Sequence, residues 1–138
     1  MAVQETVAEP RDTIPEEQAA DYGHELISSR RVEGTAVYSK SGEKLGTIHS
    51  VMIGKRSGQV AYAVLSAGGW LGIGAHVHPL PWELLTYDVD RDGYVVAMDR
   101  ERLEKAPSMT LDETDRPIDH DYQERITSYW GTLPWWGL

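Results

Sequence analysis

Apolar and polar positions alternate with a period of two along much of the middle of the chain, which predicts strands. Gly34-Thr-Ala-Val-Tyr-Ser-Lys40 reads as the first strand and Ser41-Gly42-Glu43 as its turn. Leu45 to Ile53 reads as the second. Alternation sets Leu45, Thr47, His49, Val51 and Ile53 on one face and Gly46, Ile48, Ser50 and Met52 on the other. Gly46 has no side chain, so a neighbouring backbone can come close or the strand can bend there. Lys55-Arg-Ser-Gly58 is a hairpin turn. Gln59 to Ser66 is apolar on both faces and predicts a central strand covered on both sides.

The pattern then breaks. Gly68 to Gly74 is a glycine-rich loop, and His76-Val-His78 is a short strand that Pro79 should end. Pro81 to Leu85 makes one turn, Thr86 to Asp88 is extended, and Asp90-Arg-Asp-Gly93 turns into a last strand, Tyr94 to Met98. Asp99 is placed to cap a short helix that Pro107 stops. Residues 107–116 read as a polar linker. From Pro117 to Trp130, Ile118, Tyr122, Ile126 and Tyr129 share a helical face, and Gly131 is placed as the C-cap. Near the start, Thr13-Ile-Pro-Glu16 has the spacing of a capping box for a short helix over 14–22. Residues 1–12 lack any pattern and read as disordered. Three regions follow: an acidic, partly disordered extension at 1–25, a β domain at 26–106, and a linker, short helix and Trp-rich tail at 107–138. The expected fold is all-β, a small, strongly bent, six-stranded antiparallel barrel with short flanking helices.

Composition changes this picture in three places. The chain of 138 residues has no Phe, so five Trp and seven Tyr supply the large aromatic packing. A core this small gains from dimerisation, and a homodimer is expected. No cysteine is present, which removes disulfides, thiol nucleophiles and Cys-zinc sites and fits a reducing, cytoplasmic setting. The net charge of −9 belongs to the ends. Residues 1–25 carry seven acids and one base, 107–138 six acids and two bases, and 26–106 nine acids and ten bases. No basic stripe forms, so no nucleic-acid partner is expected. No apolar run nears the roughly 20 residues of a membrane span, and no secretory signal is seen.

Several short motifs invite chemistry. Asp88, Asp90, Asp92, Gly93 and Asp99 sit at positions 1, 3, 5, 6 and 12 of a calcium-loop spacing. Against it, the last position is the shorter Asp, the flanks read as strands, and Asp and Gly are ordinary turn residues. His76 and His78, two apart on a strand, share a face and are candidate ligands for zinc, nickel or copper, with His49 or His120 as a third. Polar residues on an exposed edge strand explain them as well. Gly69 to Gly74 resembles a phosphate loop, yet His-Val-His-Pro-Leu-Pro follows where a helix N-terminus is required. A loop whose Trp70 and Leu71 cover a barrel end or a partner fits better. No nucleophile elbow or His-Glu-x-x-His is present, and no cofactor is implied. The tail Tyr129-Trp130-Gly-Thr-Leu-Pro-Trp135-Trp136-Gly-Leu138 should bury its aromatic rings, on its own barrel, on a second copy or on another protein.

The segments Gly34-Thr-Ala-Val-Tyr38, Gly42-Glu-Lys-Leu-Gly46-Thr-Ile48, Gly58-Gln-Val-Ala-Tyr62-Ala-Val64, Gly68-Gly-Trp-Leu-Gly72-Ile-Gly74 and Pro79-Leu-Pro-Trp82, in that order, resemble the PRC-barrel domain family. The resemblance covers about residues 26–106. It implies a six-stranded barrel that acts as a docking module. In the photosynthetic reaction centre H subunit such a barrel covers the cytoplasmic face of a membrane complex. In a ribosome maturation factor it meets a ribosomal protein. The family shares no catalytic residues, so none is carried over. This sequence shows neither the membrane helix of the first relative nor the RNA-facing domain of the second, so neither role is expected to transfer. The expectation is a non-enzymatic interaction or adaptor module. Its alternative is a small metal-binding protein using Asp88, Asp90, Asp92 and Asp99, or His76 and His78.

Overall fold

The computed structural model describes residues 25–67, 76–116 and 118–137. The expected N-terminal helix over 14–22, the disorder over 1–12, the glycine-rich loop with Trp70 and Leu71, and Pro117 lie outside those residues. The elements are α1 (Ser29–Val32), β1 (Ala36–Ser39), β2 (Lys44–Ile53), β3 (Val60–Ala67), β4 (His76–Pro81), β5 (Thr86–Asp88), β6 (Gly93–Val96), α2 (Arg100–Glu104), β7 (Met109–Thr110) and α3 (His120–Trp130). Single 3-10 turns cover Trp82–Leu84, Asp112–Asp115 and Trp135–Gly137.

The strands form one sheet in the order β5-β6-β1-β2-β3-β4-β7. The expectation of a mostly β fold with short helices holds, but the six-stranded antiparallel barrel is corrected in three respects. Among the described residues the sheet has seven strands, it is mixed, and it does not close. It is mixed because the β5–β6 hairpin delivers β6 parallel to β1, pairing Val37 with Tyr94 and Ser39 with Val96. The seventh strand comes from the stretch read as a polar linker. Met109 there pairs with Val77 of β4 and packs with Val77 and Val64 in a second, smaller core. Two apolar residues, Met109 and Leu111, among polar neighbours were too little signal for a strand.

β2 also departs from strict alternation. Its pairing with β1 skips Leu45 and its pairing with β3 skips His49, so each is the extra residue of a bulge. A bulge bends a strand and adds twist. Leu45 and Ile48, which alternation sends to opposite faces, are each 1% exposed. Gly46 is needed at its place for another reason. A Cβ built there would lie 2.1 Å from the Ser66 carbonyl oxygen of β3. The two backbones are that close, as the missing side chain foretold.

β3 is the central strand, as expected, with Ala61 to Ser66 all buried. β4 does not stop at Pro79 but runs through Pro81. Pro79 opposes Val64 and Pro81 opposes Tyr62, alternate positions of one ladder. Successive N–H positions point to opposite sides of a strand and positions two apart share a side, so both prolines fit where β3 asks for no donor. Their donorless edges lie beyond Val77, where β7 has ended.

Asp99 caps α2 as the sequence implies, while α3 starts at His120, later than expected, with Asp119 as its N-cap. The Asp99 carboxylate accepts from the Arg102 N–H at 2.9 Å, and Asp119 accepts from the Tyr122 N–H at 2.7 Å. Gly131 ends α3 at φ 70°, in the left-handed region that glycine enters without a Cβ penalty. α3 lies across β4 and closes the second core with Tyr122 and Ile118, while its Ile126 and Trp130 reach the main core.

Candidate functional site

The aromatic C-terminal segment is divided between the core and the surface. Trp130 is 7% exposed and sits in the main core. Its ring meets Tyr129 edge-on at 4.9 Å. The Arg102 guanidinium of α2 lies over both rings, 5.2 Å from the Trp130 centroid and 5.4 Å from that of Tyr129. Arg102 also donates to the Tyr129 carbonyl at 3.0 Å, and the Tyr129 hydroxyl donates back to the Arg102 carbonyl. Tyr129 and Trp130 therefore tie α2 to α3.

Beyond Gly131 the chain reverses. The N–H groups of Gly131 and Thr132 both donate to the Thr127 carbonyl, at 2.8 and 3.1 Å. Trp135 then falls on the β2–β3 turn. A Cβ at Gly54 would lie 3.0 Å from the Trp135 ring, so glycine makes the seat. The indole N–H of Trp135 donates to Gln123 Oε1 at 2.8 Å. The Tyr62 hydroxyl donates to the same oxygen at 3.3 Å, and Gln123 Nε2 donates to the Ile118 carbonyl at 3.0 Å. One amide thus holds the tail, α3 and β3 together. Burial pushes the Tyr62 phenol up to about 12, so it stays a donor at neutral pH. No feature of the sequence singled out Gln123.

Trp136 remains at the surface. It is 41% exposed and rests against the His120 ring at 4.5 Å. Leu133 is 66% exposed and Ile53, next to Gly54, is 51% exposed. Exposed Lys55 and Arg56 follow in the same turn. Of the tail residues expected to contact a partner, Trp130 has almost no surface left to offer, Tyr129 and Trp135 are partly covered, and Trp136 faces outward.

Several of the candidate metal ligands, Asp88, Asp92, Asp99 and His78, are engaged in the protein's own hydrogen bonds. Asp88 Oδ1 accepts from the N–H groups of Asp90 and Arg91, at 3.0 and 3.4 Å, and Oδ2 lies 3.4 Å from Arg91 Nε. Asp92, at φ 51°, accepts from the Tyr87 hydroxyl. Asp99 caps α2 instead of joining the turn. His76 is exposed, whereas His78 is 8% exposed and its Nδ1 donates to the Pro107 carbonyl at 3.1 Å. Burial lowers the His78 pKa, opposed by its backbone hydrogen bonds. His49 sits beside Ser50 Oγ and His120 beside Trp136, so neither supplies the third ligand. Among the described residues, no three His, Asp or Glu side chains converge in a way that could hold a metal ion.

The seven-stranded sheet, with Trp135 of the tail seated on its β2–β3 turn, defines a small β domain. The PRC-barrel domain profile matches residues 24–103, more than half of the chain, and the chain belongs to that family. No curated protein matches it. No helix among the described residues is long and apolar enough to cross a membrane.

Proposed function

We propose that this PRC-barrel protein is a non-enzymatic interaction module of the cytoplasm that docks another protein through the exposed Trp136 and Leu133 of its tail. The observation that carries the reading is the division of the tail. Tyr129, Trp130 and Trp135 are engaged within the fold, yet Trp136 and Leu133, from the same segment, stay exposed. An aromatic anchor flanked by aliphatic groups is the usual centre of a protein interface. Gly54 and Gln123 hold the neighbouring Trp135 in place, so the anchor sits on a preorganised base. Exposed Lys55 and Arg56 follow Gly54 in the turn that seats Trp135 and favour an acidic rim on the partner.

The test is affinity capture from cell extract on the immobilised full chain, quantified against a Leu133→Ser, Trp136→Ser double variant. The reading expects a protein captured in a near-stoichiometric ratio and reduced at least about tenfold by the variant. Equal capture by both proteins overturns the docking face. A reproducible turnover by the purified protein, abolished by one substitution, overturns the non-enzymatic role.

A further inference from the structure

A cleft of about 490 Å³ lies where β7 and the 3-10 turn after it face the start of α3. Its size is within the roughly 300–1,000 Å³ of small-molecule sites. Met109, Ile118 and Tyr122 line it and belong to the second core, so its floor is apolar. The Tyr122 hydroxyl is buried and has no hydrogen-bond partner. A buried phenol ordinarily finds one. Tyr62, Tyr87 and Tyr129 each donate within the fold. Burial pushes the Tyr122 phenol up to about 12, so it keeps its proton and has a donor to offer.

Five charged side chains line the same cleft, yet none of them pairs with another. Two of the three carboxylates serve the backbone. Glu113 accepts from the Thr110 N–H at 2.7 Å and from the Thr110 hydroxyl at 3.1 Å. Asp119 accepts from the Tyr122 N–H at 2.7 Å. The arginines are uncommitted. The Arg125 guanidinium rests over the Tyr122 ring at 4.8 Å, and among the described residues neither it nor that of Arg116 has an ion-pair partner. Two guanidiniums and a phenol thus offer donors, against Asp121 as the one carboxylate with no donor of its own.

We propose that this cleft binds a small organic monocarboxylate. Arg116, Arg125 and the Tyr122 hydroxyl hold the carboxylate, and Met109 and Ile118 carry the apolar body. A guanidinium fork matches the two oxygens of a carboxylate. A phosphate dianion fits worse, because Asp121, Glu113 and Asp119 repel its second charge. A cation fits worse again, because Arg125 already covers the Tyr122 ring.

Amide NMR titration of the full chain with phenylbutyrate tests this, with phenylbutanol and inorganic phosphate as separate probes. The proposal expects saturable shifts in β7, residues 112–116 and the start of α3, with half-saturation below about 10 mM. Arg125→Gln should weaken binding about tenfold. Tyr122→Phe keeps the ring and should weaken binding about fivefold. Its Tm should equal or exceed the parent's, because the hydroxyl has no partner within the fold. A merely structural tyrosine would not separate the two readouts in this way. No saturable shift with phenylbutyrate overturns the proposal. Phenylbutanol bound as tightly also overturns it, since the apolar floor then acts alone, and phosphate bound as tightly overturns the carboxylate class. A Tyr122→Phe protein that binds like the parent, or that melts lower, overturns the role of the hydroxyl and the proposal with it.

Discussion

Gly46→Ala tests the closest backbone approach in the sheet. The new Cβ would sit 2.1 Å from the Ser66 oxygen and 3.0 Å from Ala67 Cα, both backbone atoms of β3. Ordinary contact begins near 3.4 Å, so the strands must part by about 1.3 Å at that point. A hydrogen bond of about 2.9 Å lengthened by that amount is lost. Gly46 pairs with Ala67 and Thr47 with Ser66, so one or two ladder bonds at a buried site are at risk. Each costs about 1–3 kcal/mol if its groups stay unpaired, and the overpacking adds about 1–3 kcal/mol. Alanine stiffens the unfolded chain and returns about 0.4–1 kcal/mol. Steric loss wins, and the net destabilisation is about 3 kcal/mol, a large part of the roughly 5–15 kcal/mol that holds a domain folded. Thermal unfolding followed by circular dichroism should show a Tm lowered by about 10 °C. Gly34→Ala is the control. Its φ of +85° strains an alanine but the space around it is open, so it should cost only about 1 kcal/mol. A Gly46→Ala protein melting within about 2 °C of the parent refutes the steric argument.

Three further outcomes follow from the same structure. Gln123→Leu removes the one acceptor shared by Trp135 and Tyr62 and should lower stability by about 2–4 kcal/mol in urea; an unchanged midpoint contradicts the role given to that amide. His78 has its pKa lowered by burial, so the unfolded chain binds the proton more readily. Its contribution is intact above the unfolded value near 6.5 and is lost as pH falls from there to the lower folded value, beyond which nothing more is lost. His78→Gln, which keeps a donor for the Pro107 carbonyl, should show a shallower fall in stability from pH 7 to 5 than the parent; parallel curves would refute this. Calorimetry with millimolar calcium should give no heat above dilution, because Asp88 and Asp92 already accept protein donors; saturable heat lost in Asp88→Asn would restore the metal-binding reading.

Local patterns carried most of the fold to the reader of the sequence. Alternation located β1 to β3, Asp99 and Gly131 marked helix ends, and Gly46 announced a close approach. What was hidden is non-local. Nothing near β6 says that it will lie parallel to β1, because that follows from where the β5–β6 hairpin docks. Pro79 looked like a stop because proline lacks a donor, but an edge position needs none. The bulges at Leu45 and His49 come from the fit between neighbouring strands and leave no residue signature. The tail read as an aromatic unit with one fate. Its division depends on Gly54 and Gln123, which lie 81 and 12 residues from Trp135 along the chain.

That division is the central claim, and hydroxyl-radical footprinting of the full chain with residue-level mass spectrometry tests it most directly. Trp136, 41% exposed, should oxidise about ten times faster than Trp130, 7% exposed, in the isolated protein. Equal rates, or a Trp136 protected as well as Trp130, would contradict a docking face built on Trp136.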